Sequence, residues 1–279
     1  MKLATYKDGS RDGQLVVVSD DLTLAHHASG IVTRMQQLLD DWNFLAPQLQ
    51  DLDRTLALGK ARHAFPFEPR MCMAPLPRAH RLVDAQPPTG EALIGAGLAG
   101  DGMAGAHDGL PMTEGATGVD AEWGAQLVLA LGDVPQGAGD DQARDGVRLV
   151  MLGNQWRHWM QQTLVASSMA WAPVAVTPDE LGRGWHRGRL ALTVRASLDG
   201  RALPPVETAK VGAPDAGVLI ARLARHRAVS AGTLLALPGL PRAALERASR
   251  VEIEAVDASG ASVFGAIDQR LQRDPSDST

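Results

Sequence analysis

Gly124-Ala125-Gln126-Leu127-Val128-Leu129-Ala130-Leu131 runs into Gly132-Asp133-Val134-Pro135, and Leu149-Val150-Met151-Leu152-Gly153-Asn154-Gln155 follows further on. Both runs read as short apolar strands. Further strands are expected at Pro173–Val176 and Leu190–Ala196. A closing pair, Arg250–Val256 and Ala261–Ile267, is joined by the turn Asp257-Ala258-Ser259-Gly260. Strands dominate, helices are few, and the fold class is mixed β (α+β).

Upstream, Leu3–Tyr6 and Gln14–Val18 flank a Gly- and Asp-rich turn and read as a hairpin. From Arg34 to Leu58 apolar residues recur at helical spacing (Met35, Leu38, Leu39, Trp42, then Leu49, Leu52, Leu56), with Pro47 expected to split two helices. Proline-punctuated sequence from Phe65 to Arg78 reads as an extended connector. Residues 84–121 are rich in Gly and Ala, lack a period and read as loop. One further helix is expected at Ala216–Arg227, with Val218, Leu219, Leu223 and Ala224 inward. These elements divide the chain into an N-terminal α/β subdomain (1–75), a core (76–272) and a disordered tail (273–279).

Composition excludes several classes. The 279 residues are 45% apolar and 21% charged, as in an ordinary globular protein. A formal net charge of −5 argues against a nucleic-acid partner, which needs a basic face. No apolar run approaches the ~20 residues of a membrane span, and the N-terminus lacks a signal-peptide core. The single cysteine, Cys72, excludes an internal disulfide and points to a cytoplasmic address. Gly95-Ala96-Gly97-Leu98-Ala99-Gly100 fits G-x-G-x-x-G but follows a poor strand, so it reads as a flexible segment rather than a dinucleotide site.

Four blocks resemble the fumarylacetoacetate hydrolase (FAH) family, in particular its bacterial branch with an extra N-terminal subdomain. They are Met1–Tyr6 with Asp40–Phe44 and Ala64–Ala79; Gly132–Pro135 with Gly146–Leu149; Pro173–Gly182; and Val263–Gln269. The resemblance implies a β-roll core, a homodimer, and cleavage of a C–C bond in a β-diketo acid or decarboxylation of an oxo acid. It also implies a Mg²⁺ or Mn²⁺ cofactor. In that family a Glu-x-Glu pair puts two carboxylates on one face of a strand, because side chains alternate with period two. An Asp then completes an oxygen cage for a hard cation, which polarises the substrate, and a His–Glu pair on a lid activates water.

Aligned through Gly132–Pro135, this chain has Gly124 and Gln126 at the two glutamates and Gln155, after Asn154, at the Asp. The lid positions fall in the featureless run around Thr89–Leu93, and the family's lysine is Ala166. Its Gly–Thr substrate loop becomes Leu234–Gly239. These departures imply no metal cofactor and a non-catalytic homologue (a pseudoenzyme) that binds a small acid or a partner subunit. The alternative is a hydrolase or decarboxylase with a rebuilt site. Substitute catalytic residues would be Glu122, two residues before Gly124 and so on the same strand face, with His107 and His158. The expected pocket, at the former metal positions, comprises Gly124, Gln126, Asn154, Gln155 and Trp156, and Trp156, His158 and Trp159 would line it in an altered form or plug it.

Overall fold

The computed structural model describes residues 1–85, 103–111, 119–160, 163–240, 242–244 and 250–272; the side chains of 110–121, 158–167 and 271–272 are left aside. Most of the expected loop 84–121 and the whole tail 273–279 lie outside the described residues. The chain opens with β1 (Lys2–Tyr6), β2 (Gln14–Val18), β3 (Leu24–His27), α1 (Met35–Asp40), α2 (Trp42–Ala57) and β4 (Phe65–Pro66). Next come β5 (Arg81–Asp84), β6 (Met103–Ala104) and β7 (Leu110–Pro111). The centre is β8 (Val119–Leu131), α3 (Asp140–Arg144), β9 (Val147–Met160), β10 (Thr163–Trp171) and β11 (Val174–Val176). Short strands β12 (Trp185–His186) and β13 (Arg189–Leu190) precede β14 (Thr193–Leu198), β15 (Arg201–Ala202) and β16 (Val206–Glu207). The chain closes with α4 (Ala216–Leu223), β17 (Thr233–Ala236), β18 (Ala243–Ala244), β19 (Arg250–Val256) and β20 (Ile267–Gln272).

Among the described residues, the main sheet runs β4-β3-β2-β1-β11-β9-β8-β17-β5, with β10 on β9 and β18 on β8. The N-terminal hairpin continues this sheet: β1 pairs with β11, whose Val176 pairs with Val150 of β9. A second sheet, β15-β14-β19-β20-β7, closes over one face of the first. The long strands are buried on both sides, which is why they read as continuous apolar runs. Trp123, Leu127, Leu129 and Leu131 of β8 face the core between the sheets. Val128 and Ala130 face a second core against α1 and α2, made with Leu38, Leu39, Leu49 and Leu56. Each fully buried aliphatic side chain contributes about 1.5–3 kcal/mol.

Four sequence expectations need correction. Pro47 lies inside α2, and the break falls at Asp41 (φ −114, ψ 35). As the sixth residue of the helix, Pro47 forgoes one amide donor without stopping it. Val218 is 45% exposed, because Ala216, Leu219, Ile220 and Ala224 form the buried stripe of the α4 region. The partner of β19 begins at Ile267, which pairs with Ile253, rather than at Ala261. Asp257 instead holds the preceding turn locally, its Oδ1 accepting from the Ser259 and Ala261 amides at 2.8 and 3.0 Å. Finally, β10 carries Ser167 and Ser168 in a strand that the sequence pattern did not reveal.

Asp53 on α2 is half-buried, and burial pushes its carboxyl up to about 6, with Glu180, Asp20 and Asp179 adding to the shift and the Met1 ammonium opposing it. A folded-state value above the unfolded one means that ionisation opposes folding. The penalty is absent below about pH 4 and complete above about pH 6. Asp53→Asn is therefore expected to raise Tm at pH 7.5 by about 2–4 °C, from about 1 kcal/mol after discounting for solvent screening, and to leave Tm unchanged at pH 4. An equal gain at both pH values would refute the burial explanation.

Candidate functional site

The register of β8 against β9 decides what meets what. Gly124 lies opposite Gln155, Gln126 opposite Gly153, and Glu122 opposite Arg157. Period-two alternation puts Glu122, Gly124 and Gln126 on one face with Gln155 and Arg157. Gln126 and Gln155 are buried, 6% and 7% exposed. The three positions that the FAH resemblance assigns to a metal cage therefore lie side by side, and they present one bare backbone position and two neutral amides.

Asn154 and Trp156 alternate to the opposite face. Asn154 Nδ2 and Trp156 Nε1 both donate to Gln269 Oε1, at 3.1 and 3.0 Å, inside the core between the sheets. The expected pocket set is thus divided: Gly124, Gln126 and Gln155 stand together, whereas Asn154 and Trp156 tie β9 to β20. Trp156 is 1% exposed and packs as core rather than lining an opening. The side chains of His158 and Trp159 lie outside the described residues.

Beside the two glutamines is an ionic cluster that sequence reasoning missed. Parallel pairing of β5 with β17 sets Asp84 opposite Ala236. Antiparallel pairing of β18 with β8 sets Ala243 opposite Trp123, which brings Arg242 to the same edge. Asp84 Oδ2 takes Arg157 Nη2 at 3.0 Å and lies 3.7 Å from Arg242 Nη2. Burial pulls Arg242 below the usual guanidinium range and Arg157 adds to this, with Asp84 and Glu122 acting in the opposite sense. Arg157 Nε and Arg242 Nη1 are buried with no acceptor among the described residues. A cavity of about 220 Å³ is lined by Asp84, Gln126, Arg157, Gly239, Leu240 and Arg242. The sequence singled out Glu122 alone of these groups; Arg157 is placed opposite it by the register of β8 on β9.

His107 stands elsewhere. Its Nδ1 is 4.0 Å from Asp268 Oδ2, and burial draws the imidazole below its ordinary value against the pull of Asp268 and Asp108. Asp268 is itself gripped by Arg250 at 2.6 and 2.9 Å, which holds its carboxyl below the usual range. Glu122 belongs with Arg242, so Glu122 and His107 do not form one acid–base pair. Among the described residues no group of three His, Cys, Asp or Glu side chains could hold a metal ion.

Residues 1–78 match the family model for the fumarylacetoacetase N-terminal domain 2. A probable 2-hydroxyhepta-2,4-diene-1,7-dioate isomerase from Mycobacterium abscessus superposes with a TM-score of 0.70 at 14% identity, over 99% of this chain and 100% of that one. The fumarylacetoacetate hydrolase of Exiguobacterium antarcticum superposes at 0.68 and 14%, over 98% and 100%. This chain has the FAH fold and carries its N-terminal domain. A third structure, maleylpyruvate hydrolase from Sphingobium sp. SYK-6 with manganese(II) and pyruvate, gives 0.68 at 13% identity, over 98% and 100%. No curated protein sequence matches the chain. Within the FAH fold, the N-terminal domain reaches the sheet of the candidate site through β1, which pairs with β11, the neighbour of β9.

Proposed function

We propose that the whole chain is an FAH-family homologue that has given up metal-dependent C–C bond chemistry and serves as a non-catalytic binder of a small organic acid. One observation carries the reading: Gly124, Gln126 and Gln155 lie side by side on one sheet face with Arg157, and none of the three is a carboxylate. Mg²⁺ sheds its water reluctantly and prefers anionic oxygens. Gln126 and Gln155 offer only neutral amides, and the neighbouring carboxylates Asp84 and Glu122 stand against the guanidiniums of Arg157 and Arg242, so these residues do not fit a hard dication. The same guanidiniums suit an anion, since arginine recognises carboxylates with paired donors. The maleylpyruvate hydrolase of this fold holds manganese and pyruvate; in this chain the acid would be held without the metal. We further propose the homodimer implied by the family resemblance, acting alone or beside an active relative.

Glu122 supports a second reading, an enzyme with a rebuilt site, because it is a carboxylate on the face of Gly124 and Gln126. Assays of the purified protein against acylpyruvates and oxaloacetate, with added Mg²⁺ or Mn²⁺, separate the two. No turnover above the uncatalysed background is expected. Turnover that disappears in Glu122→Gln would establish the enzyme instead.

A further inference from the structure

A gap in the strand pairing lies beside the site. β17 leaves β8 after the pair Ala236–Val128, with one last bond from the Leu237 amide to Leu127 O at 2.8 Å. The chain rejoins β8 only at Ala243 opposite Trp123. Past Leu237 the chain turns away from β8 at Gly239, with φ +107. A side chain at Gly239 would collide with Val211 as well as strain the backbone. Along Gly124–Gln126, β8 therefore has no strand on this edge among the described residues.

Two cavities flank this gap, one on each face of the sheet. The polar one, of about 220 Å³, holds Asp84, Gln126 and Arg157. The other, of about 300 Å³, is walled by Trp123, Val194, Leu203, Pro205 and Val206 on the opposite face. Ala125, Leu240 and Arg242 line both. At the polar end, Arg157 Nε and Arg242 Nη1 supply two buried N–H donors lacking an acceptor among the described residues. Such donors are costly to leave unmatched. Asp84 answers only one nitrogen of each guanidinium, at 3.0 and 3.7 Å, and an apolar wall next to the remaining donors is complementary to a molecule with one anionic end and one hydrocarbon end.

We propose that the ligand is an amphipathic monocarboxylate, its head on Arg157 and Arg242 and its apolar end in the cavity walled by Trp123, Leu203 and Val206. This rests on the metal-free reading of the site and narrows it to one class of acid. A short oxo acid fills only the polar cavity; the longer chain also removes apolar wall from water, at about 0.8 kcal/mol for each buried CH₂.

Calorimetric titration of the full chain at pH 7.5 with acetate, octanoate, octanol and pyruvate tests this, the last with and without Mn²⁺. Octanoate is expected to bind at least tenfold more tightly than acetate or octanol. Arg242→Gln should lose at least tenfold for octanoate while melting as the parent does. The comparison of octanoate with octanol on the unaltered protein carries the same information should that variant fold poorly. Equal binding of acetate and octanoate, equal binding of octanol and octanoate, or no octanoate binding at millimolar concentration overturns the proposal. None of these results touches the metal-free reading. Pyruvate binding that appears only with Mn²⁺ overturns that reading instead, and octanoate results then stand on their own.

Discussion

Replacing Gln269 with leucine is expected to lower the free energy of unfolding by about 2–5 kcal/mol, because two buried donors lose one acceptor at about 1–3 kcal/mol each. Gln269 is 1% exposed and its Oε1 receives both Asn154 Nδ2 and Trp156 Nε1. Its own Nε2 reaches the Asp108 carbonyl at 3.4 Å, so the side chain joins β20, β9 and the turn after β6. Leucine fills similar space but accepts nothing, and its burial repays only part of the loss. Urea denaturation followed by tryptophan fluorescence checks the value. A change below about 0.5 kcal/mol, the range of ordinary surface substitutions, would show that the Asn154–Trp156–Gln269 junction does not hold the sheets together.

That junction also marks where the sequence stopped being informative. β8 and β9 were legible because both faces are buried, leaving runs of Leu, Val and Ala that few other local structures explain. The first hairpin was legible for its turn, and β19 for its alternation of Val251, Ile253 and Ala255 with charged residues. β10 was not, since Ala166, Ser167 and Ser168 interrupt any apolar pattern. The helix break was misplaced because a proline near a helix start costs one hydrogen bond without stopping the helix, whereas the backbone leaves helical geometry at Asp41.

At the site, the resemblance pointed to Gly124, Gln126 and Gln155 residue by residue, but the ionic cluster beside them was not legible. Arg157 sits between Trp156 and His158 with no local signal. Its partner Asp84 lies 73 residues away, and Arg242 comes from the far side of α4 and β17. Only the register of three strand pairings assembles them. The division of Asn154 from Gln155 follows from strand alternation alone, and grouping them in one pocket overlooked it.

The second large effect concerns the cage itself. The triple variant Gly124→Glu, Gln126→Glu, Gln155→Asp is expected to convert a metal-indifferent protein into a metal-dependent one. Three new carboxylates at buried positions join Glu122 and Asp84, outnumbering the guanidiniums of Arg157 and Arg242, so mutual repulsion opposes folding. Added Mn²⁺ relieves that repulsion, and binding to the folded state alone stabilises it by mass action, about 2.7 kcal/mol at a hundredfold excess over Kd. A thermal melt of the variant should therefore shift upward with Mn²⁺ by about 5–10 °C for a domain of this size, while the parent should not move. A variant that folds but ignores Mn²⁺ would mean that these three positions do not converge on one ion.

The most direct measurement is a calorimetric titration of the unaltered protein with Mn²⁺ at pH 7.5. No saturable heat below millimolar Mn²⁺ is expected, because the positions that would carry the cage present a glycine and two amides beside Arg157. Stoichiometric binding with a micromolar Kd, abolished by Glu122→Gln, would contradict a metal-free site.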